Sequence, residues 1–146
     1  MEINISNEFP LEEQPYFQKI SDEHTKLMES EPNIKIVLVS VYCYANFPVR
    51  NFHSLIRENG IEPVSIFLKD AEANVHDPIT DSEFDLFLDL IKANDPDLIC
   101  FTVLTPYAVM FKDIIKRVKK ISNAPIVVGG KYPDVEPQRC FEYRNA

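Results

Sequence analysis

Glycine is scarce in this sequence, and its scarcity excludes the commonest phosphate-binding motifs. Only three of the 146 residues are glycine, namely Gly60, Gly129 and Gly130. A dinucleotide fingerprint or a P-loop needs several glycines within one short turn after a strand. The loop after the first apolar block, residues 42–50, contains none. We therefore expect no nucleotide site built on a glycine-rich turn.

A surplus of basic charge and a long apolar run are also missing. The chain has 15 basic and 23 acidic residues and a net charge of -8, whereas nucleic-acid binding needs a basic face. No apolar run approaches the about 18 residues of a membrane span. Residues 1–5 lack the basic start of a signal peptide. We expect neither a nucleic-acid partner nor a membrane.

Cysteine and histidine are few and widely spaced. The three cysteines, Cys43, Cys100 and Cys140, form no Cys-x-x-Cys or metal-ligand spacing. An odd number of distant cysteines favours a reduced, cytoplasmic setting and predicts no metal site. The three histidines suggest no nucleophile–base pair. A stand-alone hydrolase or transferase is therefore only a third alternative.

Four short apolar blocks alternate with helical patterns along the rest of the chain. The blocks cover residues 34–41, 64–68, 98–104 and 126–128, and each is typical of a buried strand. Helical spacing of apolar residues follows Pro48, Thr80 and Pro106. Gly60 is placed to end the first of these helices, and Thr80 with Glu83 has the spacing of a capping box at the start of the second. The order predicts an α/β fold, a flavodoxin-like or Rossmann-like doubly wound parallel sheet of about four strands in the order 2-1-3-4.

The residues before the first strand are more acidic than the rest of the chain. Residues 1–33 contain eight acidic residues and two lysines, and their apolar spacing predicts an acidic N-terminal helical extension. Residues 34–146 form the α/β domain. Since no room remains after the fourth block for another strand and helix, we expect this domain to be truncated at its C-terminus and the chain to be a fragment.

Ligands of such sheets bind beyond the carboxyl ends of the strands, so the loops after the blocks are the candidate site. Two of these loops carry a known pattern. Residues 101–106 read Phe-Thr-Val-Leu-Thr-Pro, and residues 127–137 read Val-Val-Gly-Gly-Lys-Tyr-Pro-Asp-Val-Glu-Pro. Together with residues 47–60, they resemble the N-terminal cobalamin-binding domain of the radical SAM protein family. Gly129, Gly130, Pro133 and Pro137 match its Gly-Gly-x-His-Pro-x-x-x-Pro motif, and Tyr132 stands where histidine is common.

The resemblance implies a cobalamin whose nucleotide tail threads between strand ends in the base-off form. Close approach of the backbone to that tail favours glycine at 129 and 130, and the hydroxyls of Thr102 and Thr105 are placed to bond its polar atoms. In the plainer alternative, the threonines cap the following helix and the glycines only form a turn. The candidate cofactor-binding residues are Tyr42, Cys43, Tyr44, Asn46, Thr102, Thr105, Gly129, Gly130, Tyr132 and Pro133.

The sequence of the first loop differs from that of the corresponding loop in the related methyl-transfer and mutase domains. Those domains carry Asp-x-His-x-x-Gly, whose histidine ligates cobalt, whereas residues 42–46 here read Tyr-Cys-Tyr-Ala-Asn. No histidine of this loop then lies below the cobalt. Tyr42, Cys43, Tyr44, Asn46 or water remains to face that side, and an inert loop thiol is the favoured interpretation of Cys43.

The catalytic half of the family is missing from these residues. Radical SAM chemistry needs a Cys-x-x-x-Cys-x-x-Cys motif for its iron–sulfur cluster, and the 146 residues contain none. The resemblance therefore implies a non-catalytic chain that presents cobalamin to a radical SAM domain, in cis or in trans, with methyl transfer as the commonest reaction. The cluster and S-adenosylmethionine belong to that missing domain. The alternative is a degenerate domain that has lost cobalamin and serves docking or assembly.

Overall fold

The computed structural model describes residues 34–42, 45–69 and 78–142. The predicted helical extension over residues 1–33 lies outside these ranges, as do Cys43 and Tyr44. The strands are β1 (Ile36–Tyr42), β2 (Val64–Lys69), β3 (Leu98–Thr102) and β4 (Ile126–Gly129). The helices are α1 (Phe47–Glu58), α2 (Asp81–Asn94), α3 (Ala108–Lys119), α4 (Lys131–Val135) and α5 (Pro137–Glu142).

The four strands form one parallel sheet in the order β2-β1-β3-β4. This confirms the predicted fold class and strand order. All seven residues of the central strand β1 are buried, because it has a neighbour on each side and a helical layer on each face. β4 lies at the edge of the sheet, and Val127 within it is exposed.

The larger core lies between one face of the sheet and helices α2 and α3. Alternate residues of β1, Val37 and Val39, point into it because successive side chains of a strand face opposite sides. Phe101 of β3 packs at its centre. Its ring meets those of Phe87 in α2 and Phe111 in α3 edge to face, with centroids 6.5 and 5.2 Å apart. This layer fixes β3, whose end contributes to the site.

The opposite face of the sheet is covered by α1. Ile36 and Leu38 of β1 pack against Val49 of that helix. Asn46 caps the helix, since its side chain accepts a hydrogen bond from the Val49 backbone N–H at 3.2 Å. The helix ends as predicted before Gly60, which has a φ of +82°. The start of α1 is therefore anchored directly beside the end of β1.

The third predicted helix begins in a tighter form than expected. Thr105–Tyr107 make one 3₁₀ turn before α3 starts at Ala108. Two short helices, α4 and α5, then follow β4, and the sequence did not predict them. Among the described residues, no helix combines the length and the apolar character needed to cross a membrane.

The predicted capping box at the start of α2 is present. The hydroxyl of Thr80 accepts a hydrogen bond from the Glu83 backbone N–H, and the Glu83 carboxylate accepts one from the Thr80 backbone N–H. The ammonium group of Lys69, the last residue of β2, lies 3.1 Å from the same carboxylate. The end of β2 and the start of α2 are thereby held together.

The substitution Glu83→Gln is expected to lower the free energy of unfolding at neutral pH and to have less effect in acid. The Thr80 backbone N–H, followed by the Lys69 ammonium group, holds the pKa of the Glu83 carboxyl below its ordinary value of 4.5. The carboxylate therefore stabilises the fold fully above that value, and the effect is lost as pH falls through the lower folded-state pKa. Urea denaturation over a pH series measures it, and a constant difference between the two proteins would contradict it.

Candidate functional site

The ends of β1, β3 and β4 meet at one edge of the sheet. Thr102, the last residue of β3, pairs with Ser40 of β1 on one side and with Gly129 of β4 on the other. We call these strand ends and the loops that leave them the carboxyl edge. In parallel sheets this edge is where ligands bind. Its residues on β3 and β4 are uncharged.

The loops after β3 and β4 are joined through the backbone of Val103. Its N–H donates to the Gly129 carbonyl at 2.9 Å, and its carbonyl accepts from the Tyr132 N–H at 3.1 Å. The Val103 side chain is fully buried. The two loops that carry the sequence motif therefore form one rigid unit.

Gly130 is required by this close contact between the loops. Its φ of 94° and ψ of -172° lie in a region that is essentially restricted to glycine. A Cβ atom added there would lie 2.6 Å from the Val103 carbonyl oxygen. The neighbouring loop thus explains the glycine at 130, whereas the sequence interpretation attributed it to a cofactor tail.

Gly129 has no such requirement in the fold. A Cβ atom added there would meet only the Phe101 carbonyl oxygen, at the ordinary contact distance of 3.9 Å. Among the described residues, and apart from its chain neighbours, no other atom lies within 4 Å of that Cβ position. The fold therefore does not itself require a glycine at 129.

Thr102 and Thr105 carry hydroxyl groups at the carboxyl edge. Thr102 is half-buried and Thr105 is exposed. No side chain caps the 3₁₀ turn or α3, so neither threonine acts as the helix cap that the plainer alternative required. Within the described part of the chain, neither hydroxyl has a hydrogen-bond partner. Both are available to a ligand.

The first loop is organised by Ser40, a residue that the sequence analysis missed. Ser40 is fully buried. Its hydroxyl donates to the Tyr42 carbonyl at 2.6 Å and accepts from the Asn46 side-chain amide at 2.9 Å. A serine alone in an otherwise apolar strand was the available signal. Asn46, predicted as a cofactor residue, instead ties β1 to the start of α1.

Tyr42, the last residue of β1, is buried and packs against the turn that follows β3. Its ring stacks on that of Tyr107 with the centroids 4.2 Å apart, and its hydroxyl lies 3.3 Å from the Met110 sulfur. Only 4% of the residue is exposed. The side chain supports the start of α3, and its predicted role beside a cofactor stays a prediction.

The other predicted residues divide into three groups. Tyr132 is buried in the main core with 3% of its surface exposed, so its side chain is not presented at the edge. Pro133 beside it is half-buried in α4. Cys43 and Tyr44 lie outside the described residues. The structure thus brings together Thr102, Thr105 and Gly129 as accessible groups.

Cysteine chemistry and metal binding find little support at this edge. Burial raises the pKa of the Cys100 thiol on β3, which keeps it protonated and weakly nucleophilic at neutral pH. Within residues 34–42, 45–69 and 78–142, no group of three or more His, Cys, Asp and Glu side chains is placed to hold a metal ion.

Comparisons with known proteins identify one matching family model and one solved structure of similar fold. A family model described as the B12 binding domain matches residues 33–146. A search of curated proteins found no match. Among solved structures, a cobalamin-binding protein from Desulfitobacterium hafniense DCB-2 is similar, with a TM-score of 0.55 and 16% sequence identity. The match covers 78% of this chain and 51% of that one, so this chain spans about half the length of that protein. This likeness concerns the fold. Because the family match covers most of the sequence, the chain belongs to the B12-binding domain family.

Proposed function

We propose that this chain binds cobalamin at the carboxyl edge and presents its upper face to a radical SAM catalytic domain. The observation that carries the proposal is the grouping of Thr102, Thr105 and Gly129. Two hydroxyls without partners among the described residues lie at the end of β3 and in the turn that follows it, and Thr102 pairs with a glycine that the fold does not require. Family membership supplies the identity of the ligand that such an edge takes.

Each residue has a distinct share in binding. The hydroxyls of Thr102 and Thr105 donate hydrogen bonds to polar atoms of the ligand, and Gly129 leaves room for it between β3 and β4. Ser40 and Asn46 hold the first loop against α1. Gly130 and Val103 keep the two motif loops at a fixed separation. When bound, cobalamin supplies a cobalt centre for group transfer, which this domain only positions.

A base-off cofactor without a protein imidazole fits the first loop. The loop contains no histidine, and Tyr42 at its start points into the core. His53, the histidine within the described ranges, lies on α1 against β2.

Bulky side chains over the glycine loop would support the degenerate docking alternative. Tyr42 is bulky, and its ring is buried against Tyr107 of the turn that follows β3. Among the described residues, and apart from the chain neighbours of Gly129, only the Phe101 carbonyl oxygen lies within 4 Å of a Cβ placed at Gly129. The contacts at Gly129 favour a domain that has kept its ligand site.

Mixing the full chain with hydroxocobalamin and desalting is the direct test. We expect a coloured protein fraction with about one cobalamin per chain and a base-off visible spectrum. The isosteric double variant Thr102→Val and Thr105→Val is expected to bind about tenfold or more weakly, because each lost hydrogen bond costs about 0.5–1.5 kcal/mol. A colourless fraction from a chain shown by circular dichroism to be folded would contradict the proposal.

The radical SAM partner is tested separately. We expect a Cys-x-x-x-Cys-x-x-Cys motif to be encoded either in the same reading frame or in a protein encoded by a neighbouring gene. A complex of the two domains should retain cobalamin and show methyl transfer from S-adenosylmethionine. Retention of cobalamin without any such partner would leave the binding site intact and overturn only the catalytic context.

A further inference from the structure

The turn that carries Thr105 is anchored at both ends and exposed between them. Residues 104–106 are all exposed. Val103, directly before them, is fully buried and is hydrogen-bonded through both its backbone N–H and its carbonyl. Tyr107, directly after them, is half-buried and packs against the larger core. The position of the Thr105 hydroxyl therefore depends on Val103 at one end of the turn and on Tyr107 at the other.

The ring of Tyr107 is held by a ring on the neighbouring strand. It stacks on Tyr42 at the end of β1, with the centroids 4.2 Å apart and the ring planes inclined by 18°. Aromatic pairs of this kind stabilise a contact beyond the area that they bury. The Tyr42 hydroxyl donates to the sulfur of Met110 at 3.3 Å. Tyr42 thus contacts both the turn and α3, the helix that continues it.

Tyr42 is itself fixed by the sheet and by the start of α1. It is buried, and its backbone pairs with Lys69 of β2. The Ser40 hydroxyl donates to the Tyr42 carbonyl and accepts from the Asn46 side-chain amide. Tyr107 therefore packs on a residue whose own position is set by two strands and a helix.

The hydrogen bonds of the turn itself are local. The Tyr107 N–H donates to the Leu104 carbonyl at 3.0 Å, and the Ala108 N–H donates to the Thr105 carbonyl. Within the part of the chain that the structure describes, no side chain caps the turn or α3. Local bonds determine the shape of the turn, whereas its position relative to β1 depends on the contact between the two tyrosine rings.

Thr102 is placed in a different way. It is the last residue of β3, and it pairs with Ser40 of β1 and with Gly129 of β4. Its hydroxyl is therefore positioned by the strand pairing of the sheet, on the other side of the Val103 anchor from the turn. A change at Tyr107 should leave it in place. The two threonines of the proposed site thus differ in what holds them.

We propose that Tyr107 is a positioning residue of the cobalamin site. Its stack on Tyr42 places the Thr105 hydroxyl for the hydrogen bond that this group donates to the cofactor. The inference rests on the proposed function, since the Thr105 hydroxyl acts on a bound ligand. Tyr107 acts through Thr105 and leaves Thr102 unaffected, and it requires no contact of its own with the cofactor.

A double-mutant cycle in the full chain, with hydroxocobalamin as the probe, tests this role. Thr105→Val should weaken binding about two- to tenfold, the range for one lost hydrogen bond. In a Tyr107→Leu background, where the hydroxyl is already misplaced, the same change should cost less than about twofold. Thr102→Val should weaken binding by the same factor in both backgrounds, because the sheet holds that residue.

Conservative variants separate the ring of Tyr107 from its hydroxyl. Tyr107→Phe keeps the stacked ring, so we expect an affinity within about twofold of that of the unmodified chain. Circular dichroism checks that each variant is folded. If Tyr107→Leu is not folded, Tyr107→Met takes its place in the cycle, because a flexible methionine fills irregular gaps in a core.

The outcomes distinguish this inference from the proposed function. Failure of the unmodified, folded chain to bind hydroxocobalamin would overturn both. Binding by that chain, together with equal effects of Thr105→Val in the two backgrounds, would overturn the positioning role alone. Equal coupling of Tyr107 to Thr102 and to Thr105 would show a general loosening of the carboxyl edge and would also overturn it.

Discussion

The substitution Gly130→Ala is expected to lower the free energy of unfolding by about 2–4 kcal/mol. Its φ of 94° is one that an alanine adopts only with strain, and the added Cβ atom would lie 2.6 Å from the Val103 carbonyl oxygen and 2.8 Å from the Val103 nitrogen. Both atoms belong to backbone that is held by hydrogen bonds to Gly129 and Tyr132. The backbone of the neighbouring loop therefore cannot move aside without losing these hydrogen bonds. Urea denaturation of the purified chain measures the loss.

The adjacent glycine is the matched control for this experiment. Gly129→Ala makes the same chemical change one residue earlier, where the added atom meets only one neighbour at 3.9 Å. Its effect on the free energy of unfolding should stay within about 0.5 kcal/mol. Equal stability of the two alanine variants would show that Gly130 is not in the conformation described above.

Larger side chains at Gly129 are expected to block cobalamin without unfolding the domain. Under the proposed function, Gly129→Val should weaken hydroxocobalamin binding by about 10- to 100-fold, as overpacking of 1–3 kcal/mol implies. Valine is favourable in a strand, and Gly129 is the last residue of β4. In this variant, cobalamin affinity should therefore fall while the free energy of unfolding stays nearly unchanged. Spectrophotometric titration and urea denaturation give the two quantities.

A graded series makes the binding result specific. The loss of cobalamin affinity should increase from Gly129→Ala to Gly129→Val, because the side-chain volume grows while the backbone stays the same. The free energy of unfolding should not follow that order. Binding that is unchanged in both variants would place the ligand elsewhere and remove Gly129 from the site.

The strands and their order followed from simple patterns in the sequence. Short apolar blocks alternating with amphipathic helices leave few arrangements other than a parallel sheet with helical crossovers. The capping box at Thr80 and the helix end at Gly60 were equally local, since both depend on residues within one turn. Local signals of this kind are visible without knowing the fold.

The sequence patterns did not predict the two short helices after β4, because each contains a proline. Pro133 and Pro137 read as breaks in the sequence, yet each lies in the first turn of a short helix. A proline is tolerated there because the first N–H groups of a helix have no partner within the helix. Only the Val103 carbonyl, which accepts the Tyr132 N–H, shows why the chain turns into a helix at this point.

The sequence by itself determined the sheet, its strand order and the motif loops at Thr102, Thr105 and Gly129. Only the tertiary structure decided which of the candidate residues are accessible. Tyr42 and Asn46 follow one another closely in the chain, but one stacks in the core on Tyr107 and the other caps α1.

The roles of the paired glycines and the contact between α1 and β2 were likewise decided by packing. Gly130 is needed because a distant loop passes within contact distance of it, while a Cβ atom at Gly129 would meet that loop's strand only at the ordinary distance of 3.9 Å. His53 and Ser65, twelve residues apart in the chain, meet because α1 packs on β2. Patterns of polarity reveal which face of an element is buried, but contacts between distant segments depend on how whole elements pack, and one-dimensional spacing does not contain that information.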